Sequence, residues 1–160
     1  IQHIKKGSIV SQVENDYVLK GGFEYGIYGA NYWGFYTGPL PTGIGSIDST
    51  TPHIGYNSFK VNTLDPTGEP PFIYQNLASY LPTGTYIITF WARTSSASAT
   101  MRAVFCDTAS CLFCSTTHAI GPDWAPYSNT CTTTLPLTSI YFPFETVATF
   151  WIDDIKLTEI

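Results

Sequence analysis

Apolar and polar residues alternate along much of this chain, in short runs separated by turn residues. In the clearest run, Thr85–Arg93, every second residue from Tyr86 to Ala92 falls on one face of an extended strand. Trp91 and Arg93 fall on the opposite face. Both faces carry bulky side chains, which predicts a central strand.

Further runs of the same kind predict the other strands. Proline and glycine recur too often for a long helix, and β-branched and aromatic residues dominate the runs. The spacing predicts an all-β fold, a two-sheet antiparallel β-sandwich. The additional runs are Ser58–Asn62, Pro71–Leu77, Met101–Cys106, Cys111–His118, Trp124–Thr134, Leu137–Phe142 and Val147–Leu157.

The length of 160 residues fits a single domain. Residues 1–16 are more polar than the rest, which predicts an N-terminal arm or edge strand before a sandwich formed by residues 17–160. The first residues lack the apolar stretch of a secretion signal, so we expect any such signal to have been removed. No run approaches the roughly 18 apolar residues of a membrane helix.

Charged residues are scarce, at 12% of the chain, and the net charge is −5. An average soluble domain has about 25% charged residues. The arginines are Arg93 and Arg102 alone, so there is no basic stripe for nucleic acid or for an anionic membrane. A surface made mostly of hydroxyl, amide and aromatic groups suits neutral, hydroxylated ligands better than ionic ones.

Cysteine occurs four times, at Cys106, Cys111, Cys114 and Cys131. An even number in a Thr- and Tyr-rich chain favours disulfides and an oxidising compartment, although three connectivities are possible. A bridge from Cys106 to Cys111 would close a hairpin loop and leave Cys114 for Cys131. The alternative is a zinc site, because Cys111 and Cys114 form a C-x-x-C pair, but the segment has few charges and no treble-clef glycines.

The segment Tyr25–Tyr36 (YGIYGANYWGFY) is unusually rich in aromatic residues and glycine. Flat rings bury the C–H faces of a pyranose and leave its hydroxyl groups free for hydrogen bonds. We expect at least one ring to form a stacking platform, and the alternative is a loop packed over the core. The candidates are Tyr28, Tyr32, Trp33 and Tyr36.

The outer face of the Thr85–Arg93 strand is a second candidate surface. An exposed Trp91 beside Arg93 is uncommon on an ordinary solvated face. Arg102 begins the next run and is expected beside them, and Tyr127 is expected to join the same face. The alternative is that Trp91 lies under a loop and that Arg93 pairs with an acid.

Carboxylates are the remaining candidates for chemistry. The acids in the middle of the chain lie in or beside turns, which does not favour the paired carboxylates of a glycosidase. Asp153 and Asp154 are adjacent acids in an apolar strand, which costs stability unless they are paired or bind a cation. If the first and last strands are neighbours, Glu24 and one of these aspartates would share a calcium ion. The alternative is two exposed acids beside Lys156.

Several segments then match a known pattern in order: GGFE at 21–24, HIGYNSFKV at 53–61, YQNLASYLPTGTYIITFWART at 74–94, W-x-x-Y at 124–127, and FWIDDIKL at 150–157. From about Tyr17 to Leu157 the chain resembles the carbohydrate-binding modules of the family 4 and 9 type, which are jelly rolls of the galactose-binding-like class. Its cysteine cluster is similar to versions found in secreted fungal proteins.

The resemblance implies two antiparallel sheets, a glycan cleft on the concave sheet or at the loop tips, and often a structural calcium between the first and last strands. Glu24 and Asp153 match the acidic calcium ligands, and backbone carbonyls around His53–Gly55 would complete the shell. Arg93 matches an arginine that faces the cleft. The chain departs from the pattern at Lys20, where these modules have asparagine, and in the aromatic-rich loop after Glu24.

These observations predict a secreted, disulfide-stabilised module that binds a neutral polysaccharide or glycan without cleaving it, alone or attached to an enzyme in a longer chain. One alternative is a surface adhesion or structural protein that binds another protein. The other is a small jelly-roll polysaccharide lyase or hydrolase. The predicted ligand-binding residues are Trp33, Tyr36, Trp91, Arg93, Arg102 and Tyr127.

Overall fold

The computed structural model describes residues 16–18, 21–24, 33–38, 42–64, 68–111 and 114–160. These residues form ten β-strands and no helix, so none of them forms a helix that crosses a membrane. The predicted arm at residues 1–16 lies, apart from Asp16, outside the described residues. The strands are β1 (Gly34–Tyr36), β2 (Gly43–Asp48), β3 (Ser58–Thr63), β4 (Phe72–Leu81), β5 (Thr85–Thr94), β6 (Ala99–Asp107), β7 (Cys114–Ile120), β8 (Ala125–Thr132), β9 (Leu137–Pro143) and β10 (Thr149–Glu159).

The strands form two five-stranded sheets that face each other. Sheet 1 has the order β1-β4-β9-β6-β7, and sheet 2 has the order β2-β3-β10-β5-β8. The pairings between named strands are antiparallel. The predicted two-sheet antiparallel sandwich is therefore confirmed.

The core lies between the sheets and follows the predicted alternation. In β5, Tyr86, Ile88, Phe90 and Ala92 have no exposed surface. The ring of Phe90 lies 5.3 Å from that of Phe142 on the opposite sheet. Burying an apolar side chain of this size stabilises the fold by about 1.5–3 kcal/mol.

Strands β1 and β2 were not predicted, because glycine interrupts both segments. The structure explains Gly45 in β2: a Cβ atom there would overlap the rings of Phe35 and Phe59. Glycine in a strand often marks such a close approach by a neighbour. The residue that weakens the strand pattern is therefore the one that lets the core rings fit.

The cysteines form two disulfides, Cys106–Cys111 and Cys114–Cys131. The first closes the loop between β6 and β7. The second joins β7, an edge strand of sheet 1, to β8, an edge strand of sheet 2. All four thiols are consumed, which leaves none for the alternative zinc site.

His118 on β7 lies between the two sheets. Its ring is 5.5 Å from the rings of Phe90 and Tyr127, and its Nε2 is buried without a hydrogen-bond partner among the described residues. Burial lowers the pKa of His118 below its ordinary value of 6.5. The folded protein therefore resists protonation of this ring more than the unfolded chain does.

This difference predicts how stability depends on pH. The stability that the neutral His118 ring contributes is complete above pH 6.5, the ordinary pKa of histidine. It is lost as the pH falls through the lower pKa that His118 has in the folded protein. Asp153 acts in the opposite direction, because burial raises its pKa to about 6 and its protonation favours folding below that pH.

We therefore expect the His118→Phe variant to lose less thermal stability than the wild type between about pH 7 and pH 5. Thermal unfolding followed by circular dichroism measures the melting temperature of both proteins across this range. Subtracting the two profiles removes the part due to Asp153, which both proteins share. Parallel profiles would show that His118 titrates normally.

Candidate functional site

Aromatic side chains, half-buried except for the exposed Tyr36, form a patch of contacting rings on the outer face of sheet 1. We call this patch the aromatic shelf; it consists of Tyr36, Phe72, Tyr74 and Tyr141. Phe72 lies at its centre, with ring centroids 4.9 Å from Tyr36, 5.9 Å from Tyr74 and 5.3 Å from Tyr141. Tyr36 stacks on Phe72, whereas the other two rings meet it edge to face.

Strand register explains how these rings meet. Across the sheet, Tyr36 is paired with Phe72, and Tyr74 is paired with Tyr141. On its other side Tyr74 is paired with Gly34, where a Cβ atom would overlap the end of the tyrosine ring. The missing side chain at Gly34 therefore gives the Tyr74 ring room to lie over β1.

A hollow of about 300 Å³ lies beside the shelf. This volume is at the lower limit of the volumes found for small-molecule sites. A second hollow, of about 470 Å³, lies on the same sheet. The two hollows are neighbours. Asn76 on β4, which lines the second hollow, is paired with Ser139 on β9, which lines the first hollow. We call the two together the groove. The first is lined by Glu69, Phe72, Tyr74, Cys106, Cys111, Ser139 and Tyr141, and the second by Asn76, Leu77, Tyr80, Asp107, Thr108 and Thr138.

Arg102 is on the outer face of the same sheet. It lies on β6 two positions from Val104, the cross-strand partner of Tyr141. Its Nε donates to the carboxylate of Glu145, and both side chains are partly exposed. Among the predicted ligand-binding residues, Tyr36 and Arg102 are those that lie on the face with the shelf.

Trp33 and Tyr127 are directed toward the core. Trp33 is only 5% exposed, and its ring lies 5.5 Å from Phe23 and 6.2 Å from Phe142. Tyr127 stacks on Phe90 at 5.6 Å, so it does not join the face of Trp91. Neither ring presents an open platform. The candidates Tyr28 and Tyr32 lie outside the described residues.

Trp91 and Arg93 point outward from sheet 2, as the alternation predicts, but residues 49–57 cover them. The His53 ring stacks on Trp91 at 3.7 Å. Arg93 donates to the Thr51 hydroxyl, and its guanidinium lies 4.0 Å from the Trp151 ring. The alternative of a loop over Trp91 is therefore what the structure shows. Arg102 is not beside them, because β6 belongs to the other sheet.

Trp124 and Trp151 complete this cluster. The Trp124 indole donates to the Thr51 carbonyl at 3.2 Å, and the Trp151 indole donates to Asp48 at 2.6 Å. Burial acts to raise the pKa of Asp48, but hydrogen bonds from Thr50 and Trp151 outweigh it and lower the pKa below its ordinary value. The contacts hold the 49–57 loop against sheet 2.

Glu24 and Asp153 hold the same loop from its other side. Glu24 accepts hydrogen bonds from the backbone N–H groups of Tyr56 and Asn57, at 2.9 and 3.3 Å. Asp153, which has no exposed surface, accepts from the N–H of His53 at 3.0 Å. Glu24 and Asp153, the acids named by the sequence resemblance, therefore contact the same loop. Within the described residues, no three His, Cys, Asp or Glu side chains form a group that could hold a metal ion.

A backbone irregularity places Asp153 there. The register of β10 against β5 shifts between Asp153 and Lys156, and Asp154 has a left-handed φ of 48°. A bulge of this kind redirects side chains. The carboxylate of Asp154 accepts a hydrogen bond from Nδ1 of the His53 ring at 2.9 Å. Burial is the main reason why the pKa of Asp153 rises to about 6.

Comparison with known proteins identifies the fold. No family model and no curated protein matches the sequence. A family 4 carbohydrate-binding module is similar in structure, with a TM-score of 0.67, 16% identity, and coverage of 89% of this chain and 99% of that one. The fold is the jelly roll of carbohydrate-binding modules.

Two further structures are similar. A family 61 module, solved with β-1,4-galactotriose, has a TM-score of 0.63 and 18% identity over 91% of this chain and 99% of that one. The enzymatically active domain of tailspike protein 4 from bacteriophage CBA120 has a TM-score of 0.68 and 17% identity over 91% of this chain. The present chain spans only 21% of that domain, whereas it matches the two modules over nearly their full lengths.

Phe72, Tyr74 and Tyr141 were not among the predicted ligand-binding residues. The signal was present, because Phe72 and Tyr74 alternate with Ile73 and Gln75, which are buried. The prediction drew instead on the aromatic-rich segment Tyr25–Tyr36 and on the outer face of the strand that carries Trp91. Alternation within a predicted strand is the better guide to which rings face outward.

Proposed function

We propose that this chain is a non-catalytic carbohydrate-binding module that holds a polysaccharide or glycan against the aromatic shelf. The observation that carries the proposal is the shelf itself, a set of contacting rings beside a groove on the outer face of one jelly-roll sheet. Trp91 and Arg93 are assigned to holding the 49–57 loop rather than to the ligand.

The chemistry of the shelf suits sugar rings. A pyranose has an apolar C–H face, and each aromatic ring that covers such a face contributes about 1–2 kcal/mol. Amide and hydroxyl groups of Asn76, Thr138 and Ser139 line the groove and supply partners for sugar hydroxyls. The galactotriose held by the family 61 module supports this use of the fold.

Affinity gel electrophoresis on neutral polysaccharides tests the proposal. We expect migration to be retarded by at least one of xylan, mixed-linkage β-glucan and β-1,4-galactan, with no release of reducing ends or unsaturated sugars. Failure to bind any polysaccharide or any glycan on an array would contradict the proposal and favour a protein-binding role. Release of sugars would favour the lyase or hydrolase alternative.

We also propose that Glu24 and Asp153 bind a structural calcium ion. The residues fit because no described cationic side chain neutralises the buried Asp153 carboxylate, whose described partners are backbone N–H groups. Calcium takes about 6 to 8 oxygen ligands, so backbone carbonyls near His53–Gly55 would complete the shell. The ion would neutralise the acids that hold the 49–57 loop.

Chelation tests the calcium proposal. If calcium is present at about a hundred times its dissociation constant, EDTA should lower the melting temperature by about 5–10 °C. Asp153→Asn keeps the shape and one of the two acceptor oxygens but removes the charge, so it should abolish the response to EDTA. The control, Asp123→Asn in an exposed turn, should respond as the wild type does.

If the site binds no calcium, Asp153→Asn should change the melting temperature in the opposite direction. Without calcium, a buried carboxylate with a raised pKa is a cost at neutral pH, so Asp153→Asn would raise the melting temperature. A wild-type protein that ignores EDTA, together with a stabilised Asn variant, would refute the calcium site.

We propose that the protein is secreted. Two disulfides in a chain of this size are typical of extracellular proteins, which supports the proposal. The fungal origin and the family 4 and 9 membership remain predictions from the sequence resemblance.

A further inference from the structure

Charge is distributed unevenly between the two faces of the sandwich. Among the described basic side chains, Lys60, Arg93 and Lys156 lie on the outer face of sheet 2. Arg102 lies on the outer face of sheet 1, where it is paired with Glu145. The face with the aromatic shelf therefore has no unpaired cationic side chain among the residues described.

The groove itself is lined by acids. Glu69, which is exposed, lines the hollow that contains three shelf rings, and Asp107 lines the second hollow. Neither carboxylate forms an ion pair with a described basic residue. Asp107 accepts hydrogen bonds from the N–H groups of Ala109 and Ser110, both at 2.8 Å, which fixes its position but leaves its charge.

The groove is long enough for more than one sugar. It follows the regular part of β4 from Phe72 to Asn76, a distance of roughly 13 Å at about 3.3 Å per residue, and reaches Tyr80 beyond the register shift that follows Asn76. Glu69 lies toward the first end, and Tyr80 and Asp107 line the second hollow. A chain bound along this path would meet the rings and both carboxylates with different sugar units.

We infer that the groove prefers amino-sugar chains, such as deacetylated β-1,4-linked glucosamine, to uncharged chains and to chains of uronic acids. The inference rests on the proposed function and names the ligand class for that site. Carboxylates attract protonated amines, and aromatic faces also attract cations. Both interactions are absent for a neutral sugar, and the carboxylates repel an anionic one.

Titration calorimetry with three hexamers tests this inference: β-1,4-glucosamine, its N-acetylated counterpart, and α-1,4-galacturonate. At low salt, and at a pH where the amines are protonated, we expect the glucosamine hexamer to bind about three- to tenfold more tightly than the acetylated one. Added salt should remove this difference in affinity, because salt screens the attraction between exposed charges. The galacturonate hexamer should bind most weakly.

Matched variants assign the preference to the two carboxylates. Glu69→Gln with Asp107→Asn keeps both shapes and the loop acceptor, so it should remove the difference in affinity between the glucosamine and the acetylated hexamers. Asp123→Asn, in the turn before β8, should leave the difference in affinity between the two hexamers unchanged. If the acetylated or galacturonate hexamer binds as tightly as the glucosamine hexamer, or if only other neutral glycans bind, the preference is refuted and the proposed function stands. If no glycan binds, the proposed function itself fails.

Discussion

Replacing Tyr141 with alanine is expected to weaken glycan binding by about ten- to a hundredfold. The ring lies 5.3 Å from Phe72, is paired with Tyr74 across the sheet, and lines the hollow beside the shelf. The ring contact of about 1–2 kcal/mol, together with the reorganisation that follows truncation of the ring, gives a loss of about 1.5–3 kcal/mol, which corresponds to this loss of affinity. Titration calorimetry with the best ligand of the polysaccharide panel measures the dissociation constant.

Control variants separate binding from folding. Tyr56 is 82% exposed on the 49–57 loop, away from the shelf, so Tyr56→Ala should bind within about twofold of the wild type. Trp91→Ala should loosen the 49–57 loop and lower the melting temperature without weakening binding. If Trp91→Ala abolishes binding and a folded Tyr141→Ala does not, the ligand lies on sheet 2 instead.

Gly34→Ala offers a finer test of the same shelf, because it removes no ring. Its added methyl group would overlap the end of the Tyr74 ring, which must then move away from β1. We expect a severalfold loss of affinity with little change in the melting temperature. Unchanged affinity would show that the position of Tyr74 is unimportant.

Removing the Cys114–Cys131 bridge is expected to cost about 3 kcal/mol of unfolding free energy. The bridge closes a separation of 17 residues, and its loss frees the unfolded chain from that constraint. It also joins the edge strands of the two sheets. Urea unfolding of a Cys114→Ala, Cys131→Ala double variant measures the difference, and the melting temperature should fall by roughly 6–12 °C.

The matched control is the Cys106→Ala, Cys111→Ala double variant. This pair closes a separation of only 5 residues, so its removal should cost about 2 kcal/mol. A larger loss from the short bridge than from the long one would contradict the view that the link between the sheets matters more.

Alternation predicted the fold because it reports a local property, the direction of each side chain from its own strand. It located β3 to β10 and the outward positions of Trp91 and Arg93. It did not locate β2, because Gly45 belongs to that strand for a distant reason, the rings of Phe35 and Phe59. Close approaches of this kind are not visible in a local pattern.

The site was harder to predict, because it depends on which sheet each strand joins. Consecutive strands β5 and β6 belong to different sheets, so Arg93 and Arg102 face opposite sides of the molecule although they are close in sequence. The shelf instead combines β1, β4 and β9, which are far apart along the chain. The loop that covers Trp91 is held by Asp153, 100 residues from His53.

Strand β4 carries core residues and residues of the proposed binding surface at alternate positions. Ile73 and Gln75 face inward and are buried, whereas Phe72, Tyr74 and Asn76 face the groove. Outward positions can therefore be exchanged with little effect on the interior. A library that varies only those positions, with the inward set unchanged, would provide a family of lectin-like reagents on one stable framework.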